Sequence, residues 1–181
     1  IDAVVQQRSY VGPTMIILPK WQVVQNPKLE KGWVTRGDLW GGDPGEAMLK
    51  DLADVSITVD DKARPGKALA SAVGARVKTP EMPVTIKGDF IRTVVRGPSS
   101  GSALVAYRDD GGVYAQLDRL DESRIADEDE IDASFYPVVI VADADLLSNG
   151  GMADKSTARH ALALVKAAST ASDGGVTFDL T

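Results

Sequence analysis

Pro137-Val138-Val139-Ile140-Val141-Ala142-Asp143-Ala144-Asp145 is the stretch that most restricts the fold of this 181-residue chain. Residues 138–142 are its most hydrophobic β-branched run. A short, continuous apolar run of this kind is typical of a strand that is buried on both faces of a sheet. We therefore predict a central strand that ends directly at two carboxylates.

Other segments extend this strand into a layered sheet. Thr14-Met15-Ile16-Ile17-Leu18 predicts a second central strand, and a helix that starts at Asp43-Pro44-Gly45-Glu46 and runs to about Asp54 leads into a strand at Val55 to Val59. Asp154 or Ser156 can cap a helix that runs to about Ser169, and a strand at Val176 to Leu180 closes the chain. The apolar stripe predicted for this helix consists of Ala158, Ala161, Leu162, Val165 and Ala168. Short apolar strands that alternate with helices favour an α/β sheet with a mostly parallel core.

The middle of the chain predicts an antiparallel addition. Val84 to Ile86 and Phe90 to Val95 have strand composition, and a hairpin is predicted where Ala103 to Arg108 and Val113 to Leu117 flank Asp109-Asp110-Gly111-Gly112. We expect one α/β domain over residues 1–181, with a mostly parallel core and an antiparallel hairpin addition.

Composition excludes several classes of function. The chain has no cysteine and one histidine, so thiolate catalysis, cysteine-ligated zinc and a multi-histidine metal centre are excluded. We predict no metal site and no cofactor. Residues 118–132 contain eight acids and two arginines, and they account for the whole net charge of −6. The neutral remainder offers no cationic surface for nucleic acid, and the acidic stretch is either a solvated face or a docking site for a basic partner.

The strand end after residue 142 is the candidate site. Asp143 and Asp145 follow the strand, and Asn149 lies in the turn before the next helix. Open α/β sheets bind ligands in the crevice at this position, and two carboxylates there can share a hard cation. Asp and Asn in a tight turn also bond their own backbone amides. Both interpretations stay open, with Asp143, Asp145 and Asn149 as ligand-binding candidates and no catalytic residue assigned.

The segment Val138 to Asn149, with the following helix and Gly175 to Asp179, resembles an uncharacterised bacterial domain family found beside MoxR-type AAA ATPases. That family is similar to the glutamine-amidotransferase-like domains of gliding-motility-type ABC-transport auxiliary proteins. Residues 12–21 resemble its first strand. One departure is Lys155-Ser156-Thr157, which stands where the family often has an asparagine opening the helix.

The resemblance implies a flavodoxin-like or class I glutamine-amidotransferase-like layered sheet. It also implies a membrane-anchored bacterial parent, with this domain on the periplasmic side of the inner membrane, and a partner from an AAA ATPase system or an ABC-transport component. The chain begins at Ile1 and contains no apolar run of the roughly 20 residues that span a bilayer, so we expect the anchors outside it. The missing cysteine limits the resemblance to fold, since an amidotransferase needs that nucleophile.

We therefore expect a non-catalytic interaction or ligand-sensing domain. One alternative is a magnesium-dependent haloacid-dehalogenase-like phosphohydrolase that uses Asp143 and Asp145, whose Asp-x-Asp spacing fits a nucleophile and a general acid. Another is a structural subunit that buries Trp33 and Trp40 in an oligomer. We expect residues 20–42, which hold all three tryptophans, to form an irregular, turn-rich excursion that packs on the core or presents an aromatic surface. His160 is expected half-covered on the flank of the last helix.

Overall fold

The computed structural model describes residues 11–31, 33–41, 43–50, 54–74, 76–120 and 136–169. Ten strands are assigned in these ranges: β1 Thr14–Ile17, β2 Trp21–Gln25, β3 Val34–Leu39, β4 Val55–Val59, β5 Ala68–Leu69, β6 Val77–Lys78, β7 Val84–Gly88, β8 Ile91–Arg96, β9 Ala103–Arg108 and β10 Val138–Val141. The helices assigned there are α1 Asp43–Leu49, α2 Asn149–Met152 and α3 Lys155–Ser169, with a 3₁₀ turn at Ala144–Leu146.

The main sheet is mostly antiparallel, which corrects the predicted parallel core. In the described ranges it has six strands in the order β1-β10-β9-β7-β4, with β8 paired to β9, and only β1 and β10 run parallel. The flavodoxin-like or amidotransferase-like sheet is therefore wrong for this chain. An apolar run reports burial on both faces but not strand direction, and here the helices cover an antiparallel sheet instead of a parallel one.

Strand β10 is buried along its whole length, as predicted, and lies between β1 and β9. Its side chains alternate between two apolar clusters: Val139 and Val141 belong to one, and Val138 and Ile140 to the other. The first cluster includes Leu164 and Ala168 of α3, whereas the second includes Leu49 of α1. The strand is thus covered on both faces by helices, which is why its sequence is apolar without interruption.

Strand β1 is less central than its sequence predicts. It pairs with β10 and is the last strand of the sheet in the described part of the chain. None of its four residues is fully buried, and Ile17 is exposed. Within the described sheet the prediction of a second central strand is wrong, because a run of apolar residues cannot distinguish a strand with two neighbours from one that has a single neighbour there.

The helix starts are close to the predictions, and one detail of the first helix differs. α1 begins at Asp43, and the Glu46 carboxylate, predicted to close a capping box, instead accepts a hydrogen bond from the backbone N–H of Ile57. α3 is capped by Asp154, whose side chain accepts from the backbone N–H groups of Ser156 and Thr157. The helix ends at Ser169 as predicted.

Two segments contradict the sequence interpretation. Residues 20–42 are not an irregular excursion, because β2 and β3 pair there as an antiparallel hairpin. Residues 113–117 were predicted as the second strand of a hairpin, yet they form turns in which Leu117 and Asp118 donate to the carbonyl of Tyr114. Residues 51–53 of the first predicted helix, most of the acidic stretch and the strand at 176–180 lie outside the described residues.

Candidate functional site

A buried ion cluster occupies the end of β10. The ammonium of Lys20 lies 2.9 Å from Oδ2 of Asp143 and 2.7 Å from Oδ2 of Asp145, and it also donates to the carbonyl of Glu81 at 2.8 Å. The side chains of Lys20 and Asp143 are fully buried, and that of Asp145 is 23% exposed. One cation thus satisfies two carboxylates at the position where the sequence predicted a crevice.

Asp143 is turned into the protein and its carboxylate is saturated. Besides Lys20, it accepts hydrogen bonds from the backbone N–H groups of Val84 and Asp145, both at 2.9 Å. The bond from Asp145 caps the 3₁₀ turn that follows β10. Burial raises the pKa of the Asp143 carboxyl, and the Lys20 ammonium opposes this rise. The observed role matches the structural alternative for a carboxylate in a tight turn.

Asp145 links the cluster to the hairpin. Its Oδ1 accepts from the indole N–H of Trp21 at 3.0 Å, while Oδ2 faces Lys20. The guanidinium of Arg36 stacks on the Trp21 ring, with its central carbon 3.9 Å from the ring centroid. Cation–π contacts of this kind are typical of arginine over indole. The base of the β2–β3 hairpin is therefore fastened to the end of β10 by charged and aromatic groups.

The three predicted ligand-binding residues are not brought to one surface. Asp143 is buried, whereas Asn149 is exposed at the start of α2. Asp145 alone of the three lines a groove of about 450 Å³. The charged residues of this groove include both signs: Arg36, Lys78, Glu81, Asp145 and Asp154.

The cations of this groove have internal partners. Lys78 and Asp154 form an ion pair at 2.7 Å, and the hydrogen bond from Lys78 holds the pKa of Asp154 well below its usual range. Arg36 lies 4.0 Å from Glu81. Ligand binding by Asp143, Asp145 and Asn149 remains a prediction, and the described residues contain no group of three or more His, Asp or Glu placed to hold a metal ion.

A second groove, of about 560 Å³, lies at the β8–β9 connection and is lined by Arg96, Ser99 and Ser100 among others. It also borders Leu120.

Sequence reasoning missed Lys20 and His160. Lys20 carries no signal in the sequence because its two carboxylate partners, Asp143 and Asp145, lie more than 120 residues away. His160 is fully buried instead of half-covered, and its Nε2 lies 3.0 Å from Oγ of Ser71. Its Nδ1 has no hydrogen-bond partner among the residues that the structure describes. The predicted apolar stripe of α3 included Leu162, which is exposed, whereas Leu164 is buried, so the buried face includes His160.

The hairpin carries an unusual set of exposed apolar side chains. Trp33 and Val23 are each 68% exposed. The exposed large apolar residues of this ribbon and its turns are Val23, Val24, Leu29, Trp33, Val34 and Trp40. The prediction that the tryptophans pack on the core is wrong for Trp33 and Trp40, which leaves the aromatic-surface alternative.

No family model, curated protein or solved structure matches this chain. Within the residues that the structure describes, no helix is long and apolar enough to cross a membrane.

Proposed function

We propose that this chain is a non-catalytic interaction domain that binds a protein partner through the β2–β3 hairpin. The observation that carries the proposal is the exposure of six large apolar side chains on one ribbon of about twenty residues. Single exposed apolar residues are common on protein surfaces, but contiguous patches mark binding sites. Aromatic anchors such as Trp33 are also enriched among the residues that dominate binding energies.

The ion cluster supports this proposal because it gives the hairpin a fixed base. Lys20 immediately precedes β2, and its ammonium is held by Asp143 and Asp145. The Trp21 indole adds a further bond to Asp145. A recognition element that is anchored in this way loses less conformational entropy on binding than a free loop. The charged residues then serve to position the apolar ribbon.

The geometry of the same cluster disfavours the phosphohydrolase alternative. A magnesium ion shared by Asp143 and Asp145 would have to take the place of the Lys20 ammonium, which lies within 3 Å of both carboxylates. A nucleophilic Asp143 would also need access to substrate, but its side chain has no exposed surface. The Lys20 ion pairs and the burial of Asp143 favour a structural role for the cluster. A measurement of phosphatase activity gives the direct test.

The proposals about the parent protein and the partner's identity rest on the family resemblance and not on the hairpin. The resemblance stated above implies a membrane-anchored bacterial parent whose domain lies in the periplasm, and a partner in an AAA ATPase or ABC-transport system. We retain these as predictions. Ligand sensing at the groove beside Asp145 is a second prediction that we retain.

Partner capture with matched variants tests the interaction function. The wild-type chain, a Val23→Ser/Trp33→Ser variant and a Phe90→Ser control are immobilised and exposed to extract of the source cells. Phe90 is 62% exposed in the β7–β8 turn, so its replacement removes an equivalent aromatic surface elsewhere. We expect a specific partner to be retained by the wild type and the control but lost by the hairpin variant. Capture that is the same for all three proteins would contradict the proposal.

A phosphatase assay separates the enzymatic alternative. Hydrolysis of p-nitrophenyl phosphate is followed with and without Mg²⁺ for the wild type and for Asp143→Asn. We expect no Mg²⁺-dependent turnover by either protein. Turnover that is abolished by Asp143→Asn would overturn the non-catalytic assignment.

A further inference from the structure

We propose that the hairpin's partner is a second copy of this chain, so that two β2–β3 ribbons enclose each other in a symmetric dimer. The inference rests on the proposed function and names the occupant of the same surface. It follows from three properties of the ribbon: its unpaired strand edges, its apolar area and its charge balance.

The first property is the open edges of the ribbon. In the described part of the chain, β2 and β3 pair only with each other and belong to no larger sheet. A two-stranded ribbon is marginal by itself in water, and it gains stability from further strands or from packing on another surface. Within the described ranges, each outer edge therefore has backbone groups that no other strand pairs, and such groups can pair with a further strand. A second, identical ribbon supplies both a strand edge for backbone pairing and an apolar face for packing.

The second property is the apolar area. Val23 and Val34 project from one face, since Val34 is opposite Gln25 in the register and Val23 is two residues away on the same strand. Val24 lies on the other face. Scaled by their exposed fractions, the six apolar side chains offer about 600 Å².

This area is close to what a dimer requires. A specific interface buries about 800 Å² per partner, and somewhat more than half of that is apolar. The ribbon supplies this apolar share when both of its faces are covered. A partner that packs flat on one face leaves either Val23 and Val34 or Val24 in water, so mutual enclosure of the two ribbons is the arrangement that uses the whole surface.

The third property is the charge balance. The hairpin carries three cations and two acids, all exposed: Lys28, Lys31, Arg36, Glu30 and Asp38. Two copies of this element meet without strong like-charge repulsion, and opposite charges are present on each ribbon to pair across a two-fold axis. The chain's net charge of −6 is carried outside the hairpin.

Sedimentation velocity tests the self-association. We expect the wild type and Phe90→Ser to shift from monomer to dimer between micromolar and millimolar loading. Val24→Ser/Trp33→Ser is expected to raise the dimer Kd at least about tenfold, because truncation of a buried tryptophan anchor has effects of this size. Both variants change exposed residues, so their thermal unfolding should match the wild type. A monomer at all concentrations would overturn the inference.

Cross-linking locates the contact, since the chain has no cysteine of its own. Thr35→Cys on β3 and Ser100→Cys in the β8–β9 connection each introduce one thiol at an exposed site. A short bis-maleimide should join two copies through Thr35→Cys much faster than through Ser100→Cys. A dimer that is cross-linked equally at both sites, or only at Ser100→Cys, would contradict the hairpin contact.

The outcomes also separate this inference from the function on which it rests. A monomer that still loses a cellular partner on Val23→Ser/Trp33→Ser overturns self-pairing and keeps the interaction function. A hairpin-dependent dimer without any other partner supports self-pairing and makes the domain an oligomerisation module. A chain that is monomeric and captures no hairpin-dependent partner overturns both.

Discussion

Acidification should destabilise this protein through His160. The imidazole is fully buried, and burial lowers its pKa from 6.5 to about 4. Ser71 contacts Nε2 at 3.0 Å, while no described residue pairs with Nδ1. Protonation would therefore place a charge on a buried ring whose Nδ1 has no partner among the described residues. The neutral ring is the form that this site accommodates.

The sign and size of this change in stability follow from the difference between the folded and unfolded pKa of His160. The unfolded chain binds the proton below about pH 6.5, whereas the folded chain resists it until about pH 4. The stabilising contribution is complete above the unfolded pKa and is lost as the pH falls through this window. Each pH unit corresponds to about 1.4 kcal/mol, so the loss is about 2 kcal/mol at pH 5 and approaches about 3 kcal/mol below pH 4.

Urea unfolding of the wild type and of His160→Gln at pH 7 and pH 5 measures this loss. The glutamine does not titrate, and the carboxylates contribute equally to both proteins, so they cancel in the difference. We expect the free energy of unfolding of the wild type to fall by about 2 kcal/mol relative to the variant. Because His160 is the only histidine, its NMR titration also reports the folded pKa directly. Parallel stability curves, or a titration near 6.5, would refute the reasoning.

Two further predictions concern the end of β10. Lys20→Met should lower the free energy of unfolding by about 3 to 5 kcal/mol, because it leaves buried Asp143 without its cation. In chemical denaturation, the double variant Lys20→Met/Asp143→Asn should recover part of this loss. An equal loss of stability in the single and the double variant would argue against a charge effect. Gly151→Ala should cost about 2 to 3 kcal/mol, because a Cβ atom there would overlap the carbonyl oxygen of Asp145. Gly150→Ala is the matched control, with room for the methyl group, and a melting temperature lowered equally by both changes would contradict this steric explanation.

The candidate site shows where local sequence information stops. The turn chemistry of Asp143 and Asp145 was predictable as one of two alternatives, because an Asp that follows a strand commonly bonds the next backbone amides. The pairing of these carboxylates with Lys20 was not predictable, because Lys20 reaches the cluster from a segment more than 120 residues away. No spacing or periodicity in the chain connects these residues.

In the tryptophan-bearing hairpin and the last helix, local sequence also did not decide which side chains are buried. The sequence of residues 20–42 contains glycines and a proline, which mask the strand pattern of β2 and β3. Whether Trp33 packs on the core or faces water is decided by what the ribbon meets in three dimensions. For α3, a rotation of the buried face by about one position moves His160 from a flank into the core.

The sequence by itself determined the local features of this protein: the buried β10 strand, the strand at Val55–Val59, and the capped start and the end of α3. These features depend on side-chain hydrophobicity and on hydrogen bonds between near neighbours, and both are encoded locally. Only the tertiary structure decided the strand directions, the pairing of Lys20 with Asp143 and the exposure of the hairpin. Those depend on contacts between distant segments, whose free energies are set when the chain closes on itself.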